Sequence, residues 1–150
     1  MRKTSVALIL MMFSTLVLAD VSVTNAWVRG TVAGQTVTGA FMELKASEHA
    51  TLLGVSSPVA GTVEVHEMSM DKGVMKMRAV PKLALPMGKA VILKPGSYHI
   101  MLMDLKQPLK KGDSVSLTLK VEGKDKKVST LDVKAEVREL TAPPAMEHKH

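Results

Sequence analysis

Residues 114–138 read SVSLTLKVEGKDKKVSTLDVKAEVR, and this stretch decides the class of fold. Apolar residues occupy every second position from Val115 to Val121 and again from Leu131 to Val137. Because side chains alternate between the two faces of a strand, each run is typical of a half-buried antiparallel β-strand. The Gly- and Lys-rich segment between the runs has the composition of a turn, so the stretch predicts a β-hairpin.

Shorter runs of the same kind occupy the chain upstream of this hairpin, and proline or Gly-containing turns lie in the gaps. No segment shows the periodicity of a helix of two or more turns, and there is no internal repeat. Short strands separated by regular turns predict an all-β single domain, either a sandwich or a Greek-key barrel. The upstream strands are predicted at Ala26–Arg29, Thr38–Lys45, Leu52–Val55, Thr62–Met70, Gly73–Val80, Ala90–Leu93 and Tyr98–Leu105.

The two ends of the chain differ from the part between them. Arg2 and Lys3 precede a short apolar run, with small residues around a candidate cleavage point after residue 19. This pattern predicts a secretory signal peptide over residues 1–19, because the run is short for the alternative, an N-terminal membrane anchor. Residues 140–150 lack apolar periodicity and predict a flexible tail. We therefore expect a soluble mature chain whose domain spans residues 20–139.

The composition excludes several classes of protein. The 150 residues contain no Cys, which excludes disulfide scaffolds, thiolate metal sites, lipid attachment and Cys nucleophiles. An apolar share of 46% argues against disorder. The net charge is +6, but the Lys clusters lie beside turn residues, and aromatic residues make up only 3% of the chain. We therefore expect no nucleic-acid partner.

Methionine and histidine share one face of three predicted strands. Residues two apart in a strand point to the same side, about 6.6 Å apart along the chain. His99 and Met101 can therefore reach one point from one strand, and neighbouring strands can supply His66 and Met77 to it. The residues that alternate in this way are His66, Met68 and Met70; Met75 and Met77; and His99, Met101 and Met103.

This set of side chains has a specific metal chemistry. Thioether sulfur is a soft, neutral ligand that favours Cu(I) over Zn, Ca or Mg, and neutral imidazole adds a stronger donor. The alternative interpretation is packing, because Met is a common core filler and a single Met is more often core than ligand. The joint occurrence of Met and His at alternating positions favours a metal site.

The spacing of these residues resembles a known copper-ligand motif. His66 is followed after ten residues by Met77, after twenty-one more by His99, and after one more by Met101. The chain is similar in this respect to the periplasmic PCu(A)C copper chaperones, and the likeness extends over about residues 21–138. Phe41 stands where that family more often has Tyr, but this position lies outside the ligand motif.

The resemblance implies a cupredoxin-like Greek-key β-sandwich that binds one Cu(I) per chain and catalyses no reaction. It also implies periplasmic delivery of copper to the copper centre of cytochrome c oxidase, often alongside a Sco-type thiol protein. A subunit of that oxidase or a Sco-type protein is therefore the expected partner, and nothing in the sequence demands more than a monomer. The implied ligands are His66, Met77, His99 and Met101, with Met68 and Met103 as candidate transient ligands.

The tail contains a second candidate copper site at Met146, His148 and His150. Short His-rich tracts can bind metal, and imidazole suits Cu(II) better than thioether does. The alternative is a solvated tail that binds nothing.

Other functions compete with copper transport. An electron-transfer cupredoxin would need a Cys thiolate for its blue-copper site. A copper oxidase that uses an amino-terminal His is not favoured, because the expected mature chain begins with Asp20. Two alternatives stay open: a metal-free structural or adhesive β-sandwich with its Met residues in the core, and a copper-tolerance buffer without a dedicated acceptor.

Overall fold

A computed structural model describes residues 20–139, and all regular secondary structure in that range is β-strand. The predicted signal peptide and tail lie outside the described residues. The strands are β1 Val21–Arg29, β2 Thr38–Ala46, β3 Ala50–Ser56, β4 Ala60–Asp71, β5 Val74–Ala79, β6 Leu83–Leu85, β7 Ala90–Leu93, β8 His99–Leu105, β9 Ser114–Gly123 and β10 Val128–Arg138.

Backbone hydrogen bonds connect these strands in the order β5-β4-β8-β2-β1-β10-β9-β3-β6. Strand β7 pairs with the second half of β2, while β8 pairs with its first half. The β1–β10 pair is parallel, and the other strand pairs are antiparallel. Strands from both halves of this path bury side chains in one core, so the chain forms a single cupredoxin-like Greek-key β-sandwich.

The β9–β10 hairpin follows the alternation in the sequence. Val115, Leu117 and Val121 are buried, and the polar residues between them are exposed or half-buried. Val133, Ala135 and Val137 are buried on β10 in the same way. The predicted fold class is confirmed, and this hairpin supplies a large part of the core.

Two elements differ from the expected strands by more than one or two residues at their ends. Strand β1 begins at Val21, earlier than predicted. Asn25 adopts a positive φ of 53°, and the register with β2 shifts between Thr24 and Trp27. This bulge interrupts the alternation that the sequence pattern depends on. Strand β6 was not predicted, since its three residues are too few to show a period of two.

Strand β8 is the element that fixes the candidate site to the core. Ile100 and Leu102 are completely buried, and His99 and Met101 point to the opposite face of the strand. Truncating a buried aliphatic side chain of this size typically costs about 2–5 kcal/mol. The backbone between His99 and Met101 is therefore held firmly.

Residues 20–139 contain no helix that could span a membrane.

Candidate metal centre

The four sequence-predicted ligands lie on one face of β4, β5 and β8. His66 on β4 stands directly opposite His99 on β8. Met77 on β5 stands opposite Met68, which is two residues along β4 from His66. Met101 is two residues along β8 from His99, on the same side of the sheet. The register therefore brings the predicted residues together from three strands.

A cavity of about 270 Å³ opens on this face. Met77, His99 and Met101 line it, together with the candidate transient ligand Met68. His66 is not among the residues lining the cavity, but its ring lies edge-on to the His99 ring, with centroids 5.9 Å apart. Met103 pairs opposite Thr62, farther along β8, and is not among the residues lining the cavity.

A tight turn before β8 orients His99. The Ser97 N–H donates to the Lys94 carbonyl, with Pro95 and Gly96 between them and a φ of 83° at Gly96. These are the features of a type II turn, which favours Pro and then Gly at its central positions. The Ser97 carbonyl then accepts a 2.9 Å hydrogen bond from His99 Nδ1. Since a carbonyl cannot donate, Nδ1 carries the proton and Nε2 keeps its lone pair.

His66 is oriented by a carboxylate that the sequence reasoning missed. His66 Nε2 donates to Glu64 Oε2 at 2.8 Å, because an ionised carboxylate can only accept. The other ring nitrogen, Nδ1, is buried and has no hydrogen-bond partner among the described residues. The sequence did contain a signal for this contact, because Glu64 and His66 are two residues apart and therefore lie on the same face of β4.

Phe41 forms the wall of the cavity next to His99, and Trp27 packs against Phe41. The Phe41 ring lies 6.5 Å from His99 and 4.5 Å from Trp27, measured between centroids. Gly39 makes room for this ring, because a Cβ there would lie 2.9 Å from Phe41 Cζ. The Arg29 guanidinium stands over the Phe41 ring at 5.5 Å, so a positive charge borders the same cavity.

The donors at this site suit a soft ion. Within residues 20–139, no group of three or more His, Cys, Asp or Glu residues could hold a metal. What the site offers instead is one free lone pair on each of two imidazoles, His66 and His99, and the thioethers of Met77 and Met101, which line the cavity with His99. Hard cations such as Ca²⁺ and Mg²⁺ prefer oxygen ligands, whereas thioether sulfur selects softer ions. The residues present therefore fit a soft, monovalent metal.

Solved structures, among them PCuAC domains, have the same fold. The apo PCuAC domain of PmoF2 superposes with a TM-score of 0.65 at 23% identity, covering 81% of this chain and 92% of that domain. Apo-DR1885 from Deinococcus radiodurans is 28% identical, with a TM-score of 0.59, covering 92% of this chain and 89% of that one. A second structure of the same protein, described as CuI-DR1885, is 33% identical over 76% of this chain and 75% of that one, with a TM-score of 0.57.

Fold and donor arrangement together define a PCuAC-type domain, which confirms the resemblance found in the sequence. The chain belongs to the LpqE-like family, whose model, described as putative lipoprotein LpqE-like, matches residues 21–137. The putative lipoprotein Lxx21020 of Leifsonia xyli is 38% identical over 103 residues, which is 67% of this chain and 61% of that protein. The uncharacterized protein RP573 of Rickettsia prowazekii is 37% identical over 83 residues, 55% of this chain and 46% of that protein. The chain thus spans about half to three fifths of the length of these curated relatives.

Proposed function

We propose that this chain is a copper carrier that binds one Cu(I) through His66, Met77, His99 and Met101. The observation that carries the proposal is the pairing of two imidazole lone pairs with thioethers on one face: Nδ1 of His66 and Nε2 of His99 have no competing hydrogen bond in the described structure. The description of the similar Deinococcus protein as a Cu(I) complex supports the choice of metal.

The ligand types explain why the site would carry copper without catalysing a reaction. Two neutral imidazoles and two thioethers leave a net single positive charge on bound Cu(I), which costs less to hold near a protein surface than a divalent ion. Neutral ligands can also be replaced one at a time by those of an acceptor. Met77 is 47% exposed, so it is the ligand that an acceptor would meet first.

The expected compartment and partner follow from the predicted signal peptide and from the family resemblance. Residues 1–19 are proposed to direct the chain to the periplasm and to be removed there. The descriptions of its relatives as lipoproteins are consistent with a location outside the cytoplasm. We propose that the acceptor is a copper protein, either a cytochrome c oxidase subunit or a Sco-type thiol protein.

Competition with a colorimetric Cu(I) chelator tests this function on the chain from Asp20 to His150. Met77→Ala/Met101→Ala removes both thioether ligands and should abolish tight one-to-one binding. The matched control is Met87→Ala, because Met87 is also exposed, at 55%, but lies away from the cavity. Absence of Cu(I) binding by the unaltered chain, or undiminished binding by the double variant, would contradict the proposal.

A further inference from the structure

The β4–β5 hairpin extends beyond the core with two faces of opposite character. Strand β5 is exposed along its whole length, and a two-residue turn joins it to β4, with positive φ at Lys72 and Gly73. One face of the hairpin carries ion pairs between Glu67 and Arg78 and between Asp71 and Lys76. The other, which we call the methionine face, consists of Met68, Met70, Met75 and Met77.

The strand register places these four methionines as two facing pairs. Met68 lies opposite Met77, and Met70 lies opposite Met75. Directly opposed residues in an antiparallel pair have Cβ atoms about 4.5–5.5 Å apart, and residues two apart on one strand are about 7 Å apart. A methionine side chain has three rotatable bonds, so three neighbouring thioethers on this face can converge on one ion.

The exposure of this face argues against a packing role. Met70 is 66% exposed and Met75 is 47% exposed. Of the methionines in the described residues, only Met42 is fully buried in the core. The ion pairs on the opposite face do not depend on which residues occupy the methionine face, so the hairpin does not need methionine in order to form. A soft-donor function accounts for thioethers at these positions, and core filling does not.

We propose that the methionine face holds a second, weaker site for a soft monovalent ion, with Met70 and Met75 as its distinguishing ligands and Met68 as the third. Met68 also lines the cavity that contains His99, so the outer site adjoins the inner one through a shared thioether. The existence of the outer site is independent of the proposed function. Its role, as the point where copper arrives or leaves, rests on that function.

The experiment is a titration with Ag(I), a redox-stable ion with the same preference for thioethers, followed through the methionine methyl signals by NMR. In the chain from Asp20 to His150, the first equivalent should shift the signals of Met77 and Met101. A second, weaker equivalent should shift those of Met70 and Met75. Met70→Leu/Met75→Leu keeps the volume and apolar character of both side chains, and should lose only the second step.

The matched control is Met87→Leu, which removes an exposed thioether elsewhere on the surface and should keep both steps. Unmoved Met70 and Met75 signals would overturn the outer site and leave the inner one standing. A second equivalent that survives in the double variant would place that equivalent elsewhere in the chain and would also overturn it. Failure of the first step would contradict the proposed function instead.

Discussion

Each histidine of the candidate site has one ring nitrogen engaged in a hydrogen bond and the other left with its lone pair. For His99 the engaged atom is Nδ1, held by the Ser97 carbonyl. For His66 it is Nε2, held by Glu64. The sequence identified both histidines from their alternation with Met, but it could not reveal which nitrogen is free. That choice depends on the partner of the other nitrogen, which only the strand register and the turn before β8 determine.

Glu64 should act as a positioning residue for His66. Replacing it with Ala removes the acceptor that keeps the proton on Nε2, so the ring can exchange tautomers and Nδ1 loses its fixed lone pair. Loss of such a partner typically costs about 10–100-fold in metal affinity. We expect Glu64→Ala to weaken Cu(I) binding by that factor in chelator competition. In the metal-free protein, the ¹⁵N signals of the His66 ring should report a mixture of tautomers.

Glu67→Ala is the matched control, because Glu67 neighbours His66 in sequence but pairs with Arg78 on the other face of the hairpin. Like Glu64→Ala, the Glu67→Ala change removes one negative charge, but it leaves the hydrogen bond to the His66 ring in place. Glu64→Gln keeps an acceptor oxygen and should restore most of the lost affinity. Unchanged ring signals in Glu64→Ala would argue against a positioning role, even if the affinity fell.

At the scale of elements, local alternation made the strands predictable and left their pairing unspecified. The β9–β10 hairpin could be placed because both its strands and its turn lie in one continuous stretch. The parallel pairing of β1 with β10 joins segments more than a hundred residues apart, and no local pattern encodes it. The same limit applies to the site. Each of β4, β5 and β8 was predicted separately, but the position of β4 between β5 and β8 depends on pairing between segments that are distant in the sequence.

The turn at Pro95-Gly96 is the element through which backbone conformation should control metal affinity. Gly96 has a φ of 83°, in the left-handed region that costs a residue with a Cβ roughly 1–2 kcal/mol. Gly96→Ala should lower the free energy of unfolding by about that amount. It should also weaken Cu(I) binding, because relaxation of the turn moves the Ser97 carbonyl that orients His99.

Gly112→Ala separates these two effects. Gly112 has a φ of 90°, and at both glycines an added Cβ would meet nothing within 4 Å, so the backbone cost should be the same. Gly112 lies in the turn before β9, however, away from the candidate ligands on β4, β5 and β8. Urea unfolding should give similar losses for both variants, while chelator competition should show weaker binding for Gly96→Ala alone. Equal Cu(I) affinities would show that the turn does not set the geometry of His99.

Across the whole molecule, the sandwich separates its apolar core from its soft donors. The core draws mainly on Ile, Leu, Val and Ala from both halves of the strand path, and Met42 is the methionine buried among them. Met68, Met77 and Met101 instead lie on the outward face of the sheet, around the cavity. The sequence alone left open whether the Met residues were core, because alternation looks the same for an inward and an outward face. In the structure Met77 is 47% exposed, and Met68 and Met101 are half-buried beside the cavity, which favours the copper-binding interpretation over one in which they fill the core.

The course of β10 places the end of the domain beside the cavity. Arg138 pairs with Arg29 in the β1–β10 register, and Arg29 lines the cavity. Residue 146 is seven positions beyond Glu139, which corresponds to a reach of at most about 25 Å for an extended chain. The predicted donors Met146, His148 and His150 follow this strand end in the chain, and we expect them to capture Cu(II).

Deletion of residues 140–150 should accordingly remove one Cu(II) equivalent and leave Cu(I) binding intact, because the two ions would use different ligands. Imidazole nitrogens from His148 and His150 suit Cu(II), whereas the thioethers of the cavity suit Cu(I). Cu(II) titration followed by electron paramagnetic resonance should show nitrogen ligation that disappears with the deletion. Replacing Met146, His148 and His150 with Ser keeps the length of the tail but removes its donors. This variant should lose the same Cu(II) equivalent as the deletion, because Cu(II) binding depends on the donors and not on the length of the tail. Unchanged Cu(II) stoichiometry and affinity in either variant would exclude the tail as a copper site.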